Sequence, residues 1–294
     1  FQEFRPDPAS IILSAKGTWL WGIVAAAIFG FFKYWDTNKR ALAKPQIREI
    51  KVLPHHRIGD ITILAAISGI IGARLFSIIE SEENIKAFVK DPLDQLLSGS
   101  GLAIYGGLIV AFIAVYYYVY KKGMKPIYVM DAVAPALIMG YAVGRLGCQF
   151  SGDGDWGIVN TAPPPSWWFL PDWAWAFNYP HNVLNDGVPI EGCVWDYCRQ
   201  LGEAVYPTPL YETFFSLIIL TILWTLRKRF KVPGMIFFLY VLLNGIERFF
   251  IEKIRTNPDI HLLGMSATQA EYVAGLLIII GSVGMIYLWI KRKS

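Results

Sequence analysis

The chain has 294 residues, of which 54% are hydrophobic and only 17% are charged, and its formal net charge is +4. An ordinary soluble domain carries about a quarter charged residues, so this composition argues against a soluble globular protein. The net positive charge is too small to support nucleic-acid binding.

Seven apolar blocks are long enough, or nearly so, to cross a hydrocarbon core of about 30 Å, which takes about 20 helical residues. They lie near 17–35, 58–80, 103–120, 127–147, 209–226, 233–251 and 269–290. We therefore predict an all-α integral membrane protein with seven transmembrane helices, in which residues 1–294 form one polytopic domain and 149–207 form a long extracytoplasmic head region. The chain opens FQEFRPDPAS, without an initiator Met or a secretion signal. We interpret it as a fragment or processed product, which leaves room for a further helix before Phe1.

The connections between these blocks alternate in charge. Basic connections occupy 33–57, 121–128 and 227–234, and the chain ends KRKS; acidic or mixed ones occupy 80–101, 149–207 and 252–264. Lys and Arg are enriched on the cytoplasmic side of membrane proteins. This rule places the basic connections and the C-terminus in the cytoplasm, and the N-terminus and the remaining connections outside.

Four segments are predicted to meet in the outer half of the membrane: YGGLIV (105–110), GRLGCQFSGDGDWG (144–157), PTPLYE (207–212) and NGIERFFIEKIR (244–255). Charges at membrane depth are costly and usually mark function. Arg248, Glu252 and Arg255 share one helical face by their spacing. For Arg255 and Lys253, near the helix end, snorkelling to the headgroups is the alternative, and for Arg74 it is a structural ion pair.

The residue types in these segments suit an anionic lipid. A guanidinium fork donates two parallel hydrogen bonds to an oxyanion, so Arg145 and Arg248 could bind a lipid phosphate and stabilise it as it departs. Gly106 and Gly107 would either let a headgroup approach the backbone or allow two helices to pack closely.

Metal binding and acyl-enzyme chemistry receive little support. Asp153 and Asp155 alternate with glycine, but the rest of a calcium loop is absent, so we expect the loop to organise nearby arginines. There is no cluster of zinc ligands and no Ser nucleophile motif. Cys193 and Cys198 lie in the outer loop, where a disulfide is permitted, and spacing leaves that pairing open. Asp131 is expected to be a structural carboxylate at a helix start.

Seven segments, in order along residues 58–290, resemble those of bacterial prolipoprotein diacylglyceryl transferases. GRLGCQFSGDGDWG resembles the family's Gly-Arg-x-Gly-Asn-Phe-x-Asn-x-Glu segment with its following Trp-Gly pair, in the form seen in the Bacteroidetes branch. YGGL is similar to the family's His-Gly-Gly-Leu, YPTPLYE to His-Pro-Ser-Gln-Leu-Tyr-Glu, and RFFIEKIR to Arg-Phe-x-x-Glu-x-x-Arg. The other three are GARLFSIIE, VMDAVAP and SATQAEY.

The resemblance implies a multi-pass protein of the bacterial inner membrane whose active site faces the periplasmic leaflet. Such a protein moves the diacylglyceryl group of phosphatidylglycerol to the lipobox cysteine thiol of a prolipoprotein. A thioether forms, glycerol 1-phosphate leaves, and no metal or organic cofactor is required. The implied partners are phosphatidylglycerol, the prolipoprotein signal peptide with its lipobox, and membrane lipid, with no nucleic acid.

The resemblance also assigns site residues. Its catalytic set is Arg145, Arg248, Tyr105 and Asp153. Its substrate-binding set is Arg145, Arg248, Gly106, Gly107, Gln149, Gly157, Glu212, Glu252 and Arg255. Glu252 is expected to orient Arg248 or Arg255. Tyr105 stands where most members carry His, and Cys148 or Gln149 replaces an asparagine, so the acceptor of the thiol proton stays open.

Two other functions compete with the transferase. The chain could be a non-enzymatic carrier of an anionic lipid or solute, with Arg74, Arg145 and Arg248 lining its path, although carriers usually show an internal repeat. It could also be a scaffold that docks through the aromatic segment PPPSWWFLPDWAWAF. That segment could equally lie in the membrane interface or guide substrate entry, and we favour seating in the interface.

Overall fold

The computed structural model describes residues 53–92, 103–194, 196–257, 259–262 and 265–293, together with 27–28, 30–32, 34–36 and 38–39. Its principal helices are α1 (Ile58–Glu80), α2 (Glu82–Lys90), α3 (Ile104–Lys121), α4 (Pro126–Ser151), α5 (Thr208–Leu226), α6 (Met235–Glu252) and α7 (Gln269–Lys293). Two antiparallel pairs of short strands complete it, β1 (Val188–Pro189) with β2 (Arg199–Gln200) and β3 (Asp259–Leu262) with β4 (Met265–Thr268).

Six of the seven predicted blocks coincide with described helices to within four residues at either end. Most of the first block, 17–35, lies outside the described residues. Among the described residues, five helices are long and apolar enough to cross a membrane: α1 with the short helix before it, α3, α4, α5 and α7. The structure is thus mostly helical and has the spans of an integral membrane protein. Helix α6 is 18 residues long but contains Glu247, Arg248 and Glu252, and the count of seven crossings stays a prediction.

The chain separates into two compact units, Phe1–Met124 and Lys125–Ser294. In the first, α1 and α3 pack backbone to backbone. A Cβ atom added to Gly72 would lie 2.6 Å from the Gly106 carbonyl oxygen, and one added to Gly106 would lie 2.3 Å from the Cβ of Phe76. Small residues allow this close approach between membrane helices. Gly106 and Gly107 therefore have a packing role within this unit.

The second unit is built on α4, α5 and α6, whose apolar faces meet in a core of Ala134, Ile138, Ile219, Leu223 and Ile236. Asp131 of α4 lies beside this core and accepts hydrogen bonds from the amide N–H groups of Gly234 (2.6 Å) and Phe237 (2.8 Å). A carboxylate at a helix N-terminus satisfies amides that have no partner within the helix. Asp131 thus has the structural role that its position predicted, as the cap of α6.

Residues 149–207 contain little regular structure but have a core of their own. Tyr179 is 2% exposed and Asn182 is 1% exposed, and the Tyr179 ring packs against Trp156 and Phe177. A disulfide joins Cys193 to Cys198 beside the β1–β2 pair. Backbone hydrogen bonds from 157–160 to 204–206 return the segment to the start of α5. The head region is therefore anchored where α4 ends and α5 begins.

Candidate active site

Five ionisable side chains from separate segments of the second unit meet around Glu212 of α5. Arg145 lies in the last part of α4 and Asp155 in the turn after it. Arg248 and Glu252 lie near the end of α6, and Arg255 lies just beyond that helix. We call these six residues the arginine cluster. It holds three guanidinium groups and three carboxylates, and it joins segments predicted to converge in the outer half of the membrane.

Glu212 is the centre of the arginine cluster. Its side chain is fully buried, with Oε2 lying 2.9 Å from Nε of Arg145 and Oε1 accepting a 2.8 Å hydrogen bond from Nη1 of Arg248. Tyr141 donates to the same Oε1 at 3.1 Å. The buried carboxylate is compensated by these partners, since an unpaired charge in this position would be very costly. Glu212 therefore fixes two guanidinium groups from two helices on one carboxylate.

Asp155 connects Arg145 with Arg255. Each carboxylate oxygen forms an ion pair with one of these arginines, and the backbone carbonyl accepts a 2.6 Å hydrogen bond from Thr208 at the start of α5. Burial alone would raise the pKa of Asp155, but the charges and hydrogen bonds of Arg255 and Arg145 outweigh it and hold that pKa below its ordinary value. Asp155 is accordingly charged at neutral pH.

The ion pairs of this loop with the arginines are made by Asp155 and not by Asp153. Asp153 is exposed, and its carboxylate accepts a long bond (3.4 Å) from the amide of Asp155. The two carboxylates of this Gly-Asp-Gly-Asp turn lie close together, and sequence spacing alone does not show which of them pairs with the arginines. The general expectation that this loop organises arginines agrees with the geometry, through Asp155.

Glu252 supports the cluster from the side of α7. Its Oε2 lies 3.1 Å from Nη2 of Arg248 and 4.0 Å from Nε of Arg255, while Oε1 accepts hydrogen bonds from Asn257 (2.5 Å) and Thr268 (2.8 Å). It therefore contacts both arginines that it was expected to orient, and it ties them to the segment that leads into α7.

Arg255 does not share a continuous helical face with Arg248, because α6 ends at Glu252. The chain turns there, and Arg255 pairs as a β-bridge with Gly157. Its side chain, only 7% exposed, returns to Asp155 and Glu212. Burial at this depth corrects the snorkelling alternative for Arg255. Lys253, by contrast, is more than half exposed and pairs with Glu271.

Gly157 is required by this bridge. A Cβ atom at position 157 would lie 2.5 Å from the carbonyl oxygen of Ile254 and 2.9 Å from side-chain atoms of Thr208 and Tyr206. Its amide donates to the carbonyl of Tyr206 at 2.9 Å. Only glycine lets the turn after α4 lie against both the start of α5 and the chain beyond α6.

Gln149, predicted to bind substrate, is used to hold the head region. It is 7% exposed, and its Oε1 accepts a 2.7 Å hydrogen bond from the hydroxyl of Tyr179. Burial raises the pKa of Tyr179, and the negative charge of Asp153 adds to the effect, so the phenol stays a hydrogen-bond donor. The position of Gln149 supports a structural role.

Tyr105, Gly106 and Gly107 belong to the first unit, at the start of α3. Gly106 is buried between α3 and α1, whereas Tyr105 is 43% exposed. The geometry of this unit supports the packing alternative for the two glycines. In the same unit Arg74 is only 5% exposed.

Cys148, Asp153 and Asp155 bring one ligand atom each to within 4.8 Å of one another. Both oxygens of Asp155 already bind arginines, and Arg145 also lies 3.8 Å from the sulfur of Cys148. A cation would therefore meet guanidinium groups at this position. The remaining N–H donors of these arginines suit an anion better than a cation.

Exposure divides the arginine cluster into an accessible and a buried part. The side chains of Arg145, Arg248 and Asp155 are 15%, 21% and 33% exposed, whereas Glu212 and Glu252 are at 0%. The buried carboxylates hold the two guanidinium groups in place, while part of each arginine side chain remains exposed. Two partly exposed arginine side chains that are held in place next to each other can bind a phosphate by charge-assisted hydrogen bonds.

Several members of this site were missed from the sequence. Asp155 was noticed but not selected, and Tyr141, Thr208 and Thr268 carry no motif that marks them. Glu247 lies in the predicted segment NGIERFFIEKIR and has no assigned role there. The other four lie one helical turn from an arginine or at an adjoining helix end, and only a packed structure identifies such neighbours.

Comparison with known proteins identifies the family of the chain. The family model for prolipoprotein diacylglyceryl transferase matches residues 18–287. A relative from Corynebacterium diphtheriae, named phosphatidylglycerol–prolipoprotein diacylglyceryl transferase, is 32% identical over 231 residues, covering 76% of this chain and 75% of its own. Relatives of the same name from Clostridium botulinum and Clostridium novyi are 32% and 30% identical, covering 79% and 81% of this chain and 80% and 82% of theirs. The chain therefore belongs to the prolipoprotein diacylglyceryl transferase family.

Proposed function

We propose that this protein transfers the diacylglyceryl group of phosphatidylglycerol to the lipobox cysteine of a prolipoprotein, the first step of lipoprotein maturation. The names of its relatives support both substrates. The observation that carries the proposal is the pairing of Arg145 and Arg248 on the single carboxylate of Glu212, at 2.9 and 2.8 Å, with both arginine side chains partly exposed.

The chemistry explains why arginines are needed. The cysteine sulfur attacks the sp³ glyceryl carbon, the S–C bond forms and the C–O bond to phosphate breaks. The electron pair leaves on the phosphate oxygen, and the thiol loses its proton. Negative charge therefore grows on the departing phosphate, and fixed guanidinium donors aimed at that phosphate stabilise the transition state.

The other site residues have supporting roles in this scheme. The guanidinium groups of the phosphate-binding pair are positioned by Asp155, Glu252 and Arg255. Gly157 allows the turn that brings Asp155 to these groups. We keep Tyr105, Gly106, Gly107 and Asp153 as expected participants through the family resemblance alone. A thiol beside arginines ionises more readily, so a dedicated base is not essential.

The membrane placement is part of the proposal. We place the chain in the bacterial inner membrane with seven crossings and a cytoplasmic C-terminus. The arginine cluster then faces the periplasmic leaflet. The alternating charge of the connections supports this arrangement, and the Cys193–Cys198 disulfide suits a compartment outside the cytoplasm.

The test is direct. Purified protein is incubated with phosphatidylglycerol vesicles and a lipobox peptide, and both glycerol phosphate release and the mass of the peptide are measured. We expect release matched by diacylglyceryl addition to the peptide, and neither product with a peptide whose cysteine is replaced by serine. Binding of the lipid without any release would favour the carrier instead.

A further inference from the structure

Glu247 is a buried carboxylate that the proposed reaction has not used. It precedes Arg248 on α6 and is 7% exposed. Among the described residues, neither of its oxygens has a hydrogen-bond partner, and both are shielded from solvent. A buried polar group without a partner is rare and calls for an explanation. The desolvation cost in this position is far larger for an ionised carboxylate than for a neutral carboxylic acid.

Charged and titratable groups face Glu247 from the elements packed around it. They are Tyr141 and Arg145 of α4, Glu212 of α5, Arg248 of its own helix and Arg255 beyond that helix. Towards α7, helix α6 packs through Gly245 against the backbone of Ala274 and Ile278, and residues 273–290 of α7 carry no charged side chain. Glu247 therefore interacts with the arginine cluster and not with a separate ion pair.

The formal charge of the cluster depends on Glu247. Three guanidinium groups and three carboxylates are already paired there, so their charges cancel. With Glu247 ionised, the group would carry a net charge of about −1 by this count and would repel a phosphate anion. With Glu247 protonated, the arginine cluster stays neutral, and the partly exposed side chains of Arg145 and Arg248 can attract that anion.

We propose that Glu247 is held as an uncharged carboxylic acid, and that this protonation keeps the arginine cluster able to accept a phosphate. The inference rests on the proposed function. Glu247 stays protonated while the S–C bond forms and the C–O bond breaks, and it does not touch the reacting atoms. It is a positioning residue that acts through the charge of the cluster.

The test compares Glu247→Gln with the natural protein in the glycerol phosphate assay, from about pH 6 to about pH 9. Buried glutamates ionise as high as about pH 8 to 9, and glutamine keeps the shape without titrating. The peptide thiol ionises in the same range, so the quantity to follow is the ratio of variant to natural rate at each pH. We expect a ratio near one at neutral pH, rising about tenfold at the alkaline end.

Two further variants keep the test decisive. Glu247→Leu, an apolar replacement of similar size, should show the same rise, so a folding defect in one variant does not end the experiment. Glu203→Gln, at an exposed position of the head region, should give a flat ratio. A flat ratio for both Glu247 variants would overturn the proposal, as would a folded Glu247→Gln protein that is inactive at every pH.

Infrared spectroscopy of the natural protein separates this inference from the proposed function. A protonated carboxylic acid has a carbonyl stretch apart from the carboxylate bands. We expect such a band at neutral pH, its loss at alkaline pH, and its absence from Glu247→Gln. If the natural protein released no glycerol phosphate but showed this band, the proposed function would fail and the protonation of Glu247 would stand. An unchanged spectrum in Glu247→Gln would overturn the protonation.

Discussion

At the scale of single residues, Glu212 determines how the site is organised. It is fully buried in a region predicted to lie at membrane depth, where an uncompensated charge is costly. Two arginines from different helices compensate it, and in return the carboxylate fixes their orientation. The same contacts therefore stabilise the fold and position the phosphate donors.

The substitution Glu212→Gln is expected to weaken both the stability of the fold and the positioning of the two arginines. The variant leaves two partly buried guanidinium groups without their shared counter-charge, and breaking a fully buried pair costs about 3–5 kcal/mol. We expect a lower unfolding temperature and at least about a 100-fold loss of glycerol phosphate release. Glu203→Gln, at an exposed position, is the matched control. A Glu212→Gln protein with natural stability and activity would refute the central role of this carboxylate.

The planar guanidinium groups of Arg145 and Arg248 are expected to contribute to the reaction rate through their geometry as well as through their charge. Lysine keeps the charge but loses the planar pair of donors. We predict that Arg145→Lys or Arg248→Lys lowers the rate of glycerol phosphate release by about 10- to 100-fold, measured on protein whose unfolding temperature is checked in parallel. Arg229→Lys, at an exposed position in the connection after α5, should be unaffected. Full activity in both site variants would rule out bidentate phosphate binding.

The residue scale is also where the sequence predicted least. Arginines and glutamates could be selected because charge is rare in apolar segments. Asp155 could not be separated from Asp153, because both lie in one short turn and only the packed structure shows which carboxylate pairs with the arginines. Gln149 was expected to bind substrate because it stands at a family position, and its bond to Tyr179 depends on a contact 30 residues away.

At the scale of elements, the helices were predicted closely because the length of an apolar run is set by the membrane it crosses. Helix ends inside the site were less predictable. The spacing of Arg248, Glu252 and Arg255 suits a continuous helix, yet the chain leaves the helix at Glu252 to form a bridge with Gly157. A tertiary contact decided this boundary, and no local signal in the sequence marks it.

This bridge predicts a specific sensitivity at Gly157. Alanine there would place its Cβ 2.5 Å from a backbone oxygen of Ile254, so the turn or the segment beyond α6 must move. Forced shifts of this kind typically cost about 1–3 kcal/mol, and here they would displace Asp155 and Arg255. We expect Gly157→Ala to lower both the unfolding temperature and the activity. Gly140→Ala, on an exposed face of α4 with nothing within 4 Å, should preserve both.

At the scale of the whole molecule, composition was enough to identify a membrane protein, and five long apolar helices agree with it. The head region was beyond prediction. Its core of Tyr179 and Asn182 depends on irregular backbone and side-chain hydrogen bonds that have no sequence period. Its disulfide was one of two open possibilities, because closure depends on how the β1–β2 segment folds.

The orientation of the chain gives the last prediction. Alternating basic and acidic connections place the head region outside and the connection after α5 in the cytoplasm. Cysteines introduced at Ser166 and Lys228, both exposed, test this arrangement with a membrane-impermeant maleimide. Ser166→Cys should be labelled in intact spheroplasts, whereas Lys228→Cys should be labelled only after lysis, with the natural protein as the blank for Cys148. The opposite pattern would place the arginine cluster at the cytoplasmic leaflet, where a prolipoprotein exported across the membrane could not present its lipobox to it.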